Sequence, residues 1–189
     1  DRYNDKLKGG LIMINIISAI GSIGTFVMAL FYFVSVSIQL YQMKISFIPA
    51  LGFNQILISR NDGRLKVRNI EDHNELENVD YIKLYNLGGG AAKNIEIEIF
   101  IGENYVLQRK HVSMLPSKEG YLLPINNDVF KEIDRTLKNN GYESDLHVKI
   151  TYKHNVSRKA QEVYLNAKID NFNSYDDKAV YELQFISNE

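Results

Sequence analysis

Four histidines are the first residues to test for chemistry, and their spacing offers none. His73, His111, His147 and His154 form no H-x-x-x-H or H-E-x-x-H frame, so no zinc site is expected. The chain has no cysteine, which removes thiolate catalysis and a disulfide framework together. There is no nucleophile elbow to present a serine. The adjacent carboxylates Asp176 and Asp177 lie in the polar stretch NSYDDK, where a solvated turn accounts for them. The triplet Gly88-Gly89-Gly90 invites a phosphate-loop reading. That loop needs G-x-x-x-x-G-K-[ST] and then a helix, whereas here a strand follows and no hydroxyl stands beside Lys93. No catalytic residue, metal or cofactor is expected, and the chain reads as a non-enzyme.

Two runs of cations remain. In RLKVRN, Arg64, Lys66 and Arg68 alternate with Leu65 and Val67, and Arg60 is close by. In LHVKITYK, His147, Lys149 and Lys153 alternate with Leu146, Val148, Ile150 and Tyr152. The period of two puts each set on one face of a strand. Each set is either a solvated strand face or a site for an anion such as a nucleotide, and alternation alone leaves both readings open.

The elements that carry these residues follow from turn chemistry and periodicity. FNQILIS and RLKVRN bracket Asn61-Asp62-Gly63, a hairpin signal, and the acidic stretch EDHNELEN follows as a loop. YIKLYNLGGGAAKNIEIEIF reads as two strands joined by glycines that allow positive φ and close backbone approach, with Ile82, Leu84, Ile95, Ile97 and Ile99 inward. ENYVLQRKHVSML is one bent strand or two. PINNDVFKEIDRTLKNNGY is a helix capped by Asn127 or Asp128, buried through Phe130, Ile133 and Leu137 and stopped at Asn140-Gly141. The turn KHNVSRK adds Arg158 and Lys159, and EVYLNAKI and AVYELQFI complete eight to ten strands. The expected fold is an N-terminal transmembrane helix followed by an antiparallel β-sandwich, immunoglobulin-like or related, with one short helix.

The membrane segment is Gly9 to Met43, 35 residues without a charged side chain. About 20 apolar residues suffice to cross a bilayer. The run exceeds the apolar core of a signal peptide, and no A-x-A-like cleavage site follows it. The domain boundaries are a flank at 1–8, the helix at 9–43, a linker at 44–52 with Pro49, and the β domain at 53–189. At 100° per residue, Asn15, Ser18, Ser22, Thr25 and Ala29 fall in one stripe roughly 80° wide. Gly21, Tyr32 and Gln39 border it. Small and hydroxylated residues on one stripe mark a self-association seam, and the same residues can line a pore. The formal net charge is −1, with +2 on residues 1–44 and −3 on the rest, so no global basic field points to nucleic acid. Arg2, Lys6 and Lys8 before the helix against Lys44 and Arg60 after it favour a cytoplasmic N-terminal side. The lack of cysteine is compatible with a reducing compartment for the β domain. The chain begins at Asp1 without a Met, which leaves room for a preceding segment.

A strand ending in Asn86, then Gly88, Gly90, Ala92, Asn94 and Ile95, resembles a recurrent β-sandwich of small bacterial membrane-anchored proteins. LPSKEGYLLPI, with Glu119 in a loop before the next strand, fits the same pattern. The layout is similar to the membrane effectors of the anti-phage systems called Hailong and CBASS. The resemblance covers most of residues 9–186 as architecture and carries no ligand. It implies a homo-oligomer in the bacterial inner membrane, a tetramer being favoured, with a cytoplasmic β domain, the opposite orientation to the one the flanking charges favour. A nucleotide, an oligonucleotide signal or a cognate signalling protein would then gate a channel or a membrane-disrupting bundle. The alternatives are a passive anchor that docks a partner protein, and an extracytoplasmic module of an envelope complex.

Overall fold

A computed structural model describes residues 2–61, 64–69, 80–103, 105–139, 143–175 and 178–187. The Asp62-Gly63 turn, the acidic loop with His73, the Asn140-Gly141 helix stop and Asp176-Asp177 lie outside the described residues. The chain divides into two compact units, residues 1–45 and 46–189.

The first unit is the helix α1, Arg2–Ser46, whose 45 residues give a length of roughly 67 Å at 1.5 Å per residue. From Gly10 to Ser46 it is long and apolar enough to cross a membrane. No proline precedes Pro49, so nothing removes a backbone donor before that point, and the helix ends three residues ahead of it.

The second unit is mostly β. Its first strands are β1 (Leu51–Phe53), β2 (Ile56–Asn61), β3 (Arg64–Asn69), β4 (Tyr81–Asn86) and β5 (Ala92–Ile101). Then come β6 (Tyr105–Leu115), β7 (Gly120–Pro124), the helix α2 (Asn127–Lys138), β8 (Glu143–His154), β9 (Ser157–Tyr175) and β10 (Lys178–Ser187). They form two antiparallel sheets, β1-β4-β7 and β3-β2-β10-β9-β8-β5-β6. Residues 47–50 link α1 to β1.

The alternation expected of the strands is what closes the core. Ile95, Ile97 and Ile99 of β5 and Leu146, Val148 and Ile150 of β8 are buried. Ile82 and Leu84 of β4 and Leu123 of β7 join them in the same cluster. The stretch 105–115 is one strand, bent by a register shift opposite Ile99 and Phe100.

The helix α2 starts one residue earlier than its sequence suggests. Asn126 is the cap, its Oδ1 accepting from Val129 N at 2.9 Å while its Nδ2 donates to Leu107 O at 2.8 Å. The second bond ties the cap to β6 and selects it over Asn127 and Asp128. With that phase the buried face is Val129, Ile133 and Leu137, and Phe130 packs only at its margin.

Candidate functional site

Three constellations bear on function, and each is built differently. On α1, the Ser22 hydroxyl donates to Ser18 O at 2.9 Å and the Thr25 hydroxyl to Gly21 O at 2.9 Å. These i−4 bonds satisfy the hydroxyl donors inside the helix itself. The Asn15 amide and the Ser18 hydroxyl make no such bond among the described residues, so they are the polar groups of the stripe without an intrahelical partner. Ala29 lies one turn further along the same stripe.

On the outer face of the seven-stranded sheet, the registers Arg109↔Glu98, Glu98↔Lys149 and Lys149↔Tyr164 set four side chains in a row across β6, β5, β8 and β9. Arg109 Nε donates to Glu98 at 2.8 Å and lies 3.4 Å from Glu96. Lys149 Nζ sits 3.2 Å from Glu162 and 5.2 Å from the centre of the Tyr164 ring, and the Tyr164 hydroxyl donates to Glu162 at 3.1 Å. Phe100, Glu103, Val106 and the row line an open groove of about 320 Å³. The Tyr164 and Glu162 side chains raise the Lys149 ammonium above its ordinary range, and Glu98 does the same for Arg109. Hydrogen bonds from Lys149 and then Tyr164 hold the Glu162 carboxyl below the usual glutamate range. Both cations of this groove are therefore committed to carboxylates. An anion binding here has to displace them.

The lowered Glu162 pKa fixes a sign. Its contribution to stability is present above the ordinary glutamate value, about 4.3, and is lost as pH falls through the lower folded value. Lys149→Met is expected to return the Glu162 titration toward the ordinary range, read as a carboxyl carbon shift by NMR. An unmoved titration would mean that Lys149 is not the dominant partner.

The structure separates the two cation runs. Arg64, Lys66 and Arg68 lie on β3, an edge strand, with Arg64 and Lys66 exposed. His147, Lys149 and Lys153 lie on β8, four strand intervals away, or roughly 19 Å across the sheet at the usual spacing. Within the second run the three residues also part. His147 Nδ1 is 2.7 Å from Asn166 Oδ1, with the His147 ring 5.3 Å from that of Phe100, whereas Lys149 belongs to the ion-paired row. Lys153 is exposed at the end of the strand, opposite Lys93.

The third constellation is centred on Asn86, which is fully buried at the end of β4. Its Oδ1 accepts from Ala50 N and Gly88 N, both at 3.2 Å. Its Nδ2 donates to Gly90 O at 2.7 Å, Pro116 O at 3.0 Å and Leu115 O at 3.2 Å, two hydrogens shared among three carbonyls. Its backbone N–H donates to Glu119 O and its carbonyl accepts from Lys118 N. One side chain thus fastens the 47–50 link, the glycine turn and the 115–119 loop.

The glycines work by close approach, not by positive φ. Their backbone angles are ordinary, but a Cβ on Gly88 would strike the backbone of Ile48 and Ala50, on Gly89 that of Ser46, and on Gly90 that of Phe47. The positive φ of this region falls instead on Asn94, at 48°, where a register shift interrupts the β5–β8 ladder. Ala92 and Ile95 are fully buried. Every residue of the Asn86-to-Ile95 pattern therefore has a structural task. A polar residue closing an apolar strand just before glycines was the sequence signal for this knot; its partners were not visible there.

Comparison with protein-family models gives no match, and comparisons with curated proteins and with solved structures give none either.

Proposed function

We propose that the protein is a self-associating single-pass membrane effector whose β domain receives a signal and whose helices open a conducting path. The observation that carries this reading is the spacing along α1. Asn15, Ser18, Ser22, Thr25 and Ala29 follow one another by three and four residues, and Tyr32, Val36, Gln39 and Met43 continue the same alternation. A repeat of 3.5 residues held over four heptads is the pattern of a left-handed helix–helix seam, here with small and polar residues in its first half and larger side chains in its second. Four or more copies turn such a seam toward a shared axis, where polar side chains meet water instead of lipid. The signal for the β domain is a nucleotide, an oligonucleotide or a signalling protein, and it must bind the open and closed states with different affinity to shift them. Of the candidate cations, Arg64, Lys66 and Lys153 are exposed and make no ion pair among the described residues, so they can receive an anion without first breaking one. Resemblance to membrane effectors of anti-phage defence supports a defensive role in a bacterial inner membrane.

Asn15→Leu combined with Ser18→Leu and Ser22→Leu is expected to abolish conductance of the reconstituted chain in planar bilayers at equal protein incorporation. Unchanged conductance would exclude the pore.

A second reading is favoured by the intrahelical bonds of Ser22 and Thr25. With those hydroxyls already satisfied, the stripe can pack dry in a dimer, and the β domain then serves as a non-catalytic anchor that docks a partner protein. A detergent-corrected mass of two chains, together with absent conductance, is the result this reading requires.

A further inference from the structure

One group of cations and apolar side chains that neither the core nor the ion-paired row uses is gathered at one end of the β domain. Four stretches meet there. The glycine turn lies against the backbone of 46–50, and the 115–119 loop is bonded to Asn86 and, through the Ser117 hydroxyl, to Gly88 O at 2.5 Å. The registers Lys93↔Met114 and Lys93↔Lys153 bring the ends of β6 and β8, and so the β8–β9 hairpin, to the same rim. Lys93 Nζ donates to Asn155 Oδ1 of that hairpin at 3.0 Å, a neutral partner that leaves its charge uncompensated.

The rim is apolar in a way a solvated surface does not require. Leu87 is 74% exposed, the highest value for a large hydrophobic residue of the β domain among the described residues, and Phe47, Met114 and Ile48 are 56%, 52% and 38% exposed. It is also basic. Lys93, Lys118, Lys153, Arg158 and Lys159 stand in these stretches against one carboxylate, Glu119, in a chain whose net charge is −1. Lys118 is held at φ 61°, a left-handed backbone unusual for lysine, by its N–H bond to Asn86 O at 2.7 Å. The rim is thus positioned by the same knot that fastens residues 47–50.

We infer that this rim is a membrane-docking surface: Leu87, Phe47 and Met114 enter the headgroup region of the bilayer that α1 crosses, and the surrounding lysines and Arg158 bind anionic phospholipid headgroups. Two features select a bilayer over another occupant. The chain reaches the rim within four residues of the end of a helix long and apolar enough to cross a membrane. Apolar side chains ringed by cations also match the boundary between acyl chains and anionic headgroups.

Because the chain lacks cysteine, single nitroxide labels report on this directly. Leu87→Cys and, as a distant control, the exposed Tyr105→Cys are labelled in the full-length protein and reconstituted in vesicles of phosphatidylcholine with phosphatidylglycerol. Retention of the protein on alkaline-washed vesicles establishes the span of α1 separately from the rim. The label at position 87 is expected to favour oxygen over a water-soluble nickel complex several-fold more than the label at 105. Adding K153E, R158E and K159E, or omitting phosphatidylglycerol, is expected to erase that difference. A label at 87 as accessible to nickel as the one at 105 would overturn the inference. So would a label immobilised but shielded from both reagents, which would place a second copy or another protein on the rim.

Discussion

Asn86→Leu is expected to lower the stability of the β domain by about 3–5 kcal/mol, since each buried polar group left unpaired costs about 1–3 kcal/mol and this side chain serves five. Ala50 N and Gly88 N lose their acceptor, and three carbonyls lose their donor. Leucine brings apolar surface of similar volume but no partner, and because four of the five bonds are only part-buried, water re-pairs some of these groups and keeps the cost below the sum of five. Domains of this size are stable by about 5–15 kcal/mol, so a large share of the total is at stake. Asn86→Asp sharpens the test. It keeps the acceptor oxygen, loses both donor hydrogens and puts a second carboxylate oxygen against Gly90 O, Leu115 O and Pro116 O. At neutral pH it is expected to be at least as destabilising as leucine. Urea unfolding of the detergent-solubilised chain, followed by the β signal in circular dichroism, measures both. An aspartate variant as stable as the parent would show that the amide donors contribute nothing.

The glycines give a graded series with the next largest effect. Gly89→Ala is expected to cost about 2–3 kcal/mol, because the added carbon meets the Ser46 carbonyl, which is backbone and cannot rotate aside. Gly102→Ala has open space but a φ of 59°, so its cost is that of left-handed backbone alone, about 1 kcal/mol. Gly52→Ala has neither obstacle and is expected to be close to neutral. The same unfolding measurement ranks them. An order in which Gly102 exceeded Gly89 would make backbone conformation, not close approach, the reason for the glycine turn. The Gly89 variant also has a functional consequence. It pushes residues 46–50 off the turn, so under the effector reading it disconnects signal from helix while membrane insertion persists.

Much of this architecture was legible because it is written in short-range periodicity. Thirty-five residues without charge mark a helix long and apolar enough to cross a membrane, and a helix satisfies the backbone hydrogen bonds that a bilayer core would leave open. Ile95, Ile97 and Ile99 alternate with Glu96 and Glu98, and a pleated strand turns that alternation into one buried and one open face. The cap of α2 shows the limit. Three successive residues, Asn126, Asn127 and Asp128, can all cap a helix, and the contact of Asn126 with Leu107 of β6 chooses between them.

What the sequence determined by itself, then, is which residues face inward, which face out, and that one helix is long and apolar enough to cross a membrane. The tertiary structure alone decided which outward residues are neighbours. Arg64 and Lys149 carry the same charge on strands of the same alternation, yet strand order sets them apart, and the partners that neutralise Lys149 come from β9. Lys93, Lys118 and Lys153, distant along the chain, reach one rim through register and through the Asn86 knot. A period of two fixes the face of a strand because pleating is local. It cannot fix the neighbour, which depends on pairings between segments 20 to 60 residues apart that only the packed core selects.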